Sequence, residues 1–505
     1  MATEPEANGS NPRPGPLTPA ARREPPVQAQ ASPGPDTAWN LGDELEGLEG
    51  AAEHVEVYAY APPRPRPRPR PTLPVPPREL RGPGPAAAVV SISLVTLAVL
   101  LQLASVLTSG SGAAGDLSAE ASLAVVAPGG RIELAGDGAP AEGELVLETR
   151  RPGEGWHAAA EGRADEEGRF LVEGRVAGEP GQMSVRVRAA GGGASPPAAV
   201  TVRPLRLASV GDINLGDVPG AAIEAEGPSY PWESAGRALR RADIAFGNLE
   251  SPVSKRGTPF PKQYNFRGTP AALAGLRRHS GIDVLNLANN HVGDYGPTAM
   301  LDTVRGVERL GIRAVGAGAG LKRALRPQVV ERLGLRVAFV GFSNILPLEF
   351  AAEPGRPGVA WATPETVGQA VRAARQRADV VVATFHWGIE KMPYETADQA
   401  ELARVAADAG AQLVIGAHPH VLQPIRRAGA ALVAYSLGNF VFGAHSSDTA
   451  ATGILVTDLS AEGVTRARWR PGTIDGGRPL LQSGRPQRLP VADPDAMAAG
   501  LTLGG

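Results

Sequence analysis

The residues that could do chemistry in this chain sit in six short motifs, each at the end of an apolar run. "SVGDINLGD" (209–217) offers Asp212 and Asn214, and "FGNLES" (246–251) offers Asn248 and Glu250. "LANNHVGD" (287–294) adds Asn289, Asn290, His291 and Asp294, and "TFHWGIE" (384–390) adds His386 and Glu390. "GAHPHVLQ" (416–423) carries His418 and His420, and "YSLGNFVF" (435–442) carries Tyr435 and Asn439. Imidazole, carboxylate and carboxamide are donors for divalent cations, and the chain has 0 cysteines to add a thiolate. Mn, Fe, Zn and Mg all fit such a nitrogen and oxygen set. A proline between His418 and His420 makes a turn that can aim both rings at one ion. Burying this many polar groups costs free energy unless each is bonded, and metal ions would supply that bonding.

These motifs need a scaffold that brings strand ends together. From 205 to 472, continuous apolar runs such as "LRLASVG", "DIAFGNLE", "RVAFVGFS", "DVVVATFHWG" and "QLVIGAHPH" alternate with amphipathic helical stretches. That alternation predicts an α/β domain with sheets covered by helices. In open α/β sheets, ligands bind beyond the carboxyl ends of the strands, which is where the six motifs fall.

The rest of the chain predicts a tether. Residues 1–85 are rich in Pro, Arg, Ala and Glu and predict a disordered segment, ending in "PPRPRPRPRP" of polyproline II type. Residues 86–107, "AAAVVSISLVTLAVLLQLASVL", carry no charge and are long enough for one transmembrane helix. Arg64, Arg66, Arg68, Arg70, Arg78 and Arg81 precede that span, and no Lys or Arg follows it before Arg131. The bias puts the N-terminus in the cytoplasm and the later domains outside the cell membrane. Residues 108–117 read as a flexible linker. Short alternating runs over 118–203 predict a small β-sandwich, immunoglobulin- or fibronectin-like. Residues 473–505, rich in Gly and Pro, predict a loose tail. The net charge of −2 gives no reason to expect a nucleic-acid partner.

The ordered series "GD…LG", "GNLE", "LANNH..DYG", "HWG.E", "GAHPH" and "YSLGNF" resembles the capsule-synthesis CapA family, the poly-γ-glutamate biosynthesis proteins. The resemblance covers about 205–460, and that family is similar in fold to the calcineurin-like metallophosphoesterases. It implies a four-layer α/β/β/α domain with a two-metal cleft. Carried over residue by residue, it implies Asp212 as a ligand of the first metal, Glu250 as a bridging carboxylate and Asn290 as a ligand. It implies His386 and His418 on one metal and His420 on the other, with Asn214 beside Asp212 in the ligand set. His291 matches the general acid, and Asp294 stands next to it as a second catalytic candidate. Asn248, Glu390, Tyr435 and Asn439 fall on the substrate side. The phosphoesterase pattern begins Asp-x-His where this chain has Asp212-Ile213-Asn214, and continues Gly-Asp-x-x-Asp where it has Gly247-Asn248-Leu249-Glu250.

Two such cations polarise a phosphoryl or amide oxygen and make water nucleophilic at neutral pH. Arg267 in "NFRGTP" is a candidate for a two-pronged grip on a carboxylate or phosphate. Trp387 beside His386 is either a wall of the cleft or core packing. Three functions follow. One is a membrane-anchored factor for synthesis or export of an anionic surface polymer or its precursor, working with membrane-embedded polymer-synthesis proteins. The second is a metal-dependent hydrolase of phosphoesters or γ-glutamyl amides. The third is a non-catalytic module that binds polymer.

Overall fold

The computed structural model describes residues 116–489. The expected tether (1–85, the span 86–107 and the linker through 115) and residues 490–505 lie outside the described residues. Among the described residues no helix is long and apolar enough to cross a membrane.

Residues 118–202 form two sheets around one core, antiparallel except where Val125–Val126 pairs parallel with Ala198–Val202. A three-stranded sheet runs Ser118–Ala121, Arg131–Asp137, Phe170–Arg175. A five-stranded sheet runs Val125–Val126, Ala198–Val202, Gly181–Ala189, Glu144–Arg150, His157–Arg163. Period-two alternation drives this: Met183, Val185, Val187 and Ala189 point inward while the residues between them face out. They meet Ile132, Leu134, Leu147 and Val172 in one apolar cluster.

The larger domain stacks two sheets. The first is built on the parallel strands Leu205–Ile213, Ile244–Leu249, Val284–Asn286 and Arg313–Val315, extended by the antiparallel strands Ala451–Ser460, Gly463–Asp475 and Arg478–Leu481. The second has parallel strands Leu335–Ser343, Val380–His386, Leu413–Ala417 and Ala431–Ala434, with an antiparallel strand at each edge. Leu207, Phe246 and Leu455 of the first sheet pack on Phe339, Val382 and Ile415 of the second in a core between them. Helices Pro270–Ser280 and Gly296–Arg309 cover the outer face of the first sheet through Leu273, Leu276 and Val304. Helices Pro364–Arg375 and Ala397–Asp408 cover the second through Val367, Val371 and Leu402. The order is therefore helix, sheet, sheet, helix.

The stretch expected to be a loose tail is ordered up to 489. Strand Gly463–Asp475 runs into it, Arg478–Leu481 folds back on that strand, and Gln487–Leu489 pairs with it again. The Gly476–Gly477 pair, with φ of 56° and 79°, makes the tight reversal of a hairpin rather than a flexible end.

Register sets up the site. Asn248 lies opposite both Asp212 and Asn286, and Asn439 also pairs with Asp212. In the second sheet Ser343, His386 and Ala417 form one row, and His418 follows directly. Two glycines permit the close packing behind these rows. A Cβ on Gly211 would overlap the Gly438 carbonyl, and one on Gly416 would overlap the Tyr435 carbonyl.

Candidate metal centre

Side-chain parity decides which residues of the second sheet reach the space between the sheets. Val380 and Val382 face the inner core, and His386 shares their parity. Val381, Ala383, Phe385 and Trp387 face the outer core. Trp387 is therefore core packing: it stacks on Phe385 at 4.2 Å and donates to the Tyr435 carbonyl at 2.8 Å. Tyr435 belongs to the same outer core, with Val433. Its ring is on the helix side of the sheet, away from the substrate position expected for it.

Asp212, Glu250 and His386 are fully buried, and His418 is nearly so. Their donor atoms form two overlapping groups, Asp212–Glu250–His386 and Glu250–His418–His420, each within 4.8 Å. Glu250 belongs to both. This grouping pairs His418 with His420 and His386 with Asp212, unlike the partition that the resemblance implied. Asp212 Oδ1 accepts from Asn248 Nδ2 at 2.7 Å, and its Oδ2 lies 3.4 Å from His420 Nδ1. The His418 N–H donates to the same Oδ2 at 3.2 Å. His386 Nε2 lies 3.3 Å from Glu250 Oε1, 2.8 Å from Asn290 Oδ1 and 3.2 Å from His418 Nδ1. Asn290 thus joins the cluster. The turn holding both histidines is strained, with φ of 96° at His418 and 59° at His420. Such backbone costs about 1–3 kcal/mol per residue and is retained where function needs it.

The cluster passes a test for cations. Both carboxylate oxygens of Glu250 are buried and find no hydrogen-bond donor. A buried, unpaired carboxylate is costly. Burial and then the neighbouring Asp212 push the Glu250 pKa well above the usual carboxylate range. Burial lowers His386 to about 3 and holds His418 well below its ordinary value. Both rings are neutral near pH 7, the form that ligates metal. At His420 burial opposes charge, but the hydrogen bond and charge of Asp212 raise the pKa. His420 Nδ1 also meets Asn439 Oδ1 at 2.9 Å.

His291 stands beside the ligand groups and outside both. Its Nδ1 hydrogen-bonds Asp294 Oδ2 at 2.8 Å, and its ring stacks on Phe266 at 4.1 Å. Asp294 Oδ2 also accepts the Phe266 N–H at 2.6 Å, and Oδ1 pairs with Lys262 Nζ at 2.6 Å. Asp294 thus ties His291 to the loop 252–268. Burial holds the His291 pKa below its ordinary value against the pull of Asp294.

Three expected residues do other work. Asn214 turns its Oδ1 to the Gly216 N–H at 2.8 Å, holding the turn after its strand. Arg267 is committed to its own loop: Nη2 donates to the Arg256 carbonyl at 2.9 Å, and the guanidinium stacks 3.4 Å over Tyr295. Glu390 is exposed at the periphery, where its charge acts on Glu250 and His420. Other residues enter unannounced. Asn286 donates to Asn248 Oδ1 at 2.9 Å and so fixes the amide that holds Asp212. Phe442 packs against His420 at 4.9 Å and Phe266 at 5.7 Å.

Residues 206–444 match the bacterial capsule synthesis protein family, PGA_cap. The PGA biosynthesis protein CapA of Bacillus subtilis is 32% identical over 278 residues, covering 54% of this chain and 73% of that protein. The chain belongs to the CapA family. The capsule biosynthesis protein CapA of Bacillus anthracis is 31% identical over 246 residues. That match spans 47% of this chain but only 60% of its relative. Among solved structures, the NAD nucleotidase of Haemophilus influenzae is a remote likeness, at 12% identity and a TM-score of 0.34, covering 56% of this chain and 61% of that one. The CapA-family match includes every side chain of the two ligand groups, together with His291 and Asp294.

Proposed function

We propose that this CapA-family chain serves the synthesis or export of an anionic capsule polymer of the poly-γ-glutamate class, and that the cluster around Glu250 works with two divalent ions. The polymer class comes from what the Bacillus relatives are named for. The observation that carries the ionic part is Glu250, buried, without a donor and common to both ligand groups. In this reading Asp212 and His386 would hold one ion and His418 and His420 the other, with Glu250 available to both and Asn290 beside His386. Mn, Fe, Zn or Mg suits the donor set. Bound there, the ions supply Lewis-acid polarisation of an amide or phosphoryl oxygen.

The chain's own groups do the rest. Asn286 holds Asn248, which holds Asp212. Asp294 takes the Nδ1–H of His291 and leaves Nε2 to pass a proton to or from a leaving group. Phe266 and Phe442 keep water from one side of the two imidazoles. The apolar run 86–107 anchors the chain in the cell membrane with its folded domains outside. There they would meet the polymer and its membrane-embedded synthesis proteins.

A second reading, metal-dependent hydrolysis of phosphoesters or γ-glutamyl amides, is favoured by the His291–Asp294 pair. A cleft that only held polymer would have no use for an oriented imidazole. Complementation of a deletion strain tests both. Wild type is expected to restore surface polymer and Glu250→Gln is not; restoration by Glu250→Gln contradicts the proposal. His291→Ala, with metal content unchanged, is expected to lose any hydrolysis of a model γ-glutamyl amide or phosphoester.

A further inference from the structure

A cavity of about 410 Å³ opens between helices Pro270–Ser280 and Gly296–Arg309. Val253, Leu273 and Leu310 give it an apolar lining, and Lys255, Arg256 and Arg309 are the cations that line it. Its acid, Asp302, is already answered by Arg256 Nε at 2.8 Å, Arg305 Nη2 at 2.7 Å and Ser254 Oγ at 2.7 Å. Among the described residues Lys255 and Arg309 have no ion-pair partner, and both are exposed. The cavity therefore presents two uncompensated positive charges beside an apolar surface.

Its wall is the continuation of the ionic cluster. Glu250 and Lys255 are five residues apart, at most about 18 Å of chain. That segment is clamped in place. The Val253 N–H donates to Thr303 Oγ1 at 2.7 Å, Ser254 and Arg256 bind Asp302, and the Arg256 carbonyl takes Arg267 Nη2 at 2.9 Å. A γ-glutamyl chain is an alternation of amides and methylenes bearing one carboxylate per repeat. Its methylenes match the lining and its carboxylates match the two free cations.

We propose that this cavity is a second seat for the polymer, holding an anionic γ-glutamyl stretch against Lys255 and Arg309 while a neighbouring stretch lies at the Glu250 cluster. The inference rests on the polymer reading above. The test is titration of the full-length protein with a short γ-glutamyl oligomer, at low and at physiological salt. Lys255→Glu with Arg309→Glu is expected to weaken binding about tenfold at low salt, less at higher salt. Both side chains are exposed, so the fold is kept, and Lys255→Ala with Arg309→Ala gives a milder version of the same loss. Lys322→Glu, an exposed cation outside the cavity lining and outside both ligand groups, is expected to leave this affinity within about twofold. Unchanged binding by the charge-reversed protein overturns the inference. If His418→Ala alone abolishes binding, the cleft is the sole seat, and the second seat fails while the proposed function stands. An oligomer that does not bind wild type also overturns it, and the metal content of the cluster remains a separate readout.

Discussion

Strand Val380–His386 has a buried carboxylate near each end, and the two are treated in opposite ways. At its start, Asp379 is saturated. Arg175 lies 2.7 Å and Arg131 3.3 Å from Oδ1, and the Arg336 N–H donates to Oδ2 at 2.9 Å. Both arginines come from the β-sandwich, so this carboxylate fastens one domain to the other. The Leu333 and Gly334 carbonyls add bonds to the sandwich from the same end. At the strand's far end, His386 faces Glu250, whose two oxygens have no donor. The difference teaches how to tell glue from site. A buried charge that the protein itself completes is structural, and one left incomplete is waiting for a ligand.

The largest effect that would break this contrast is on metal binding. Glu250→Gln removes the shared carboxylate and is expected to abolish stoichiometric metal, whereas Asp379→Asn leaves it intact; elemental analysis after dialysis reads both. Asn286→Ala, two hydrogen bonds back from Asp212, is expected to weaken metal affinity by about tenfold, measured by competition with a chelator. Stability of the metal-free protein sharpens the contrast through its sign. There burial and Asp212 raise the Glu250 pKa, so folding at neutral pH carries the cost of protonating a carboxyl that has no donor; Glu250→Gln removes that cost and is expected to stabilise by about 1–3 kcal/mol in denaturant titration. Asp379→Asn is expected to destabilise by about 1–2 kcal/mol.

The smallest effect is on pH. Burial alone would raise the Asp379 pKa, but the Arg336 N–H and the two arginines pull it below its ordinary value. A depressed carboxylate stabilises above its unfolded pKa, and that contribution is lost as pH falls through the folded value. Metal-free Asp379→Asn should therefore lose less stability than wild type between pH 5 and pH 3, about the ordinary carboxylate range.

The chemistry was more legible in the sequence than its surroundings. Asp212, Glu250, His386, His418 and His420 could be found because metal-capable side chains recur at the ends of several separate apolar runs. Asn286 could have been found the same way, as a lone amide inside "VLNLA". Tyr435 misled because one motif, "YSLGNF", crosses from the outer to the inner face, and parity is invisible until the strand is placed. Arg267 and Lys262 share one loop and exchange the parts a reader would give them: arginine holds the loop, and lysine reaches the catalytic pair. Nothing local in "FPKQYNFRG" signals that, since it depends on Asp294 arriving from another strand end. The hairpin at Gly476–Gly477 was hidden because paired glycines serve tight turns and loose tails alike.

The central claim is that Glu250 is incomplete without cations, and metal content tests it most directly. Full-length protein and its Glu250→Gln and Asp379→Asn variants would be dialysed against Mn, Fe, Zn or Mg and then against metal-free buffer. Retained divalent metal in wild type and Asp379→Asn, with none in Glu250→Gln, is the predicted result. Wild type that emerges empty, or Glu250→Gln that stays equally loaded, would contradict the account.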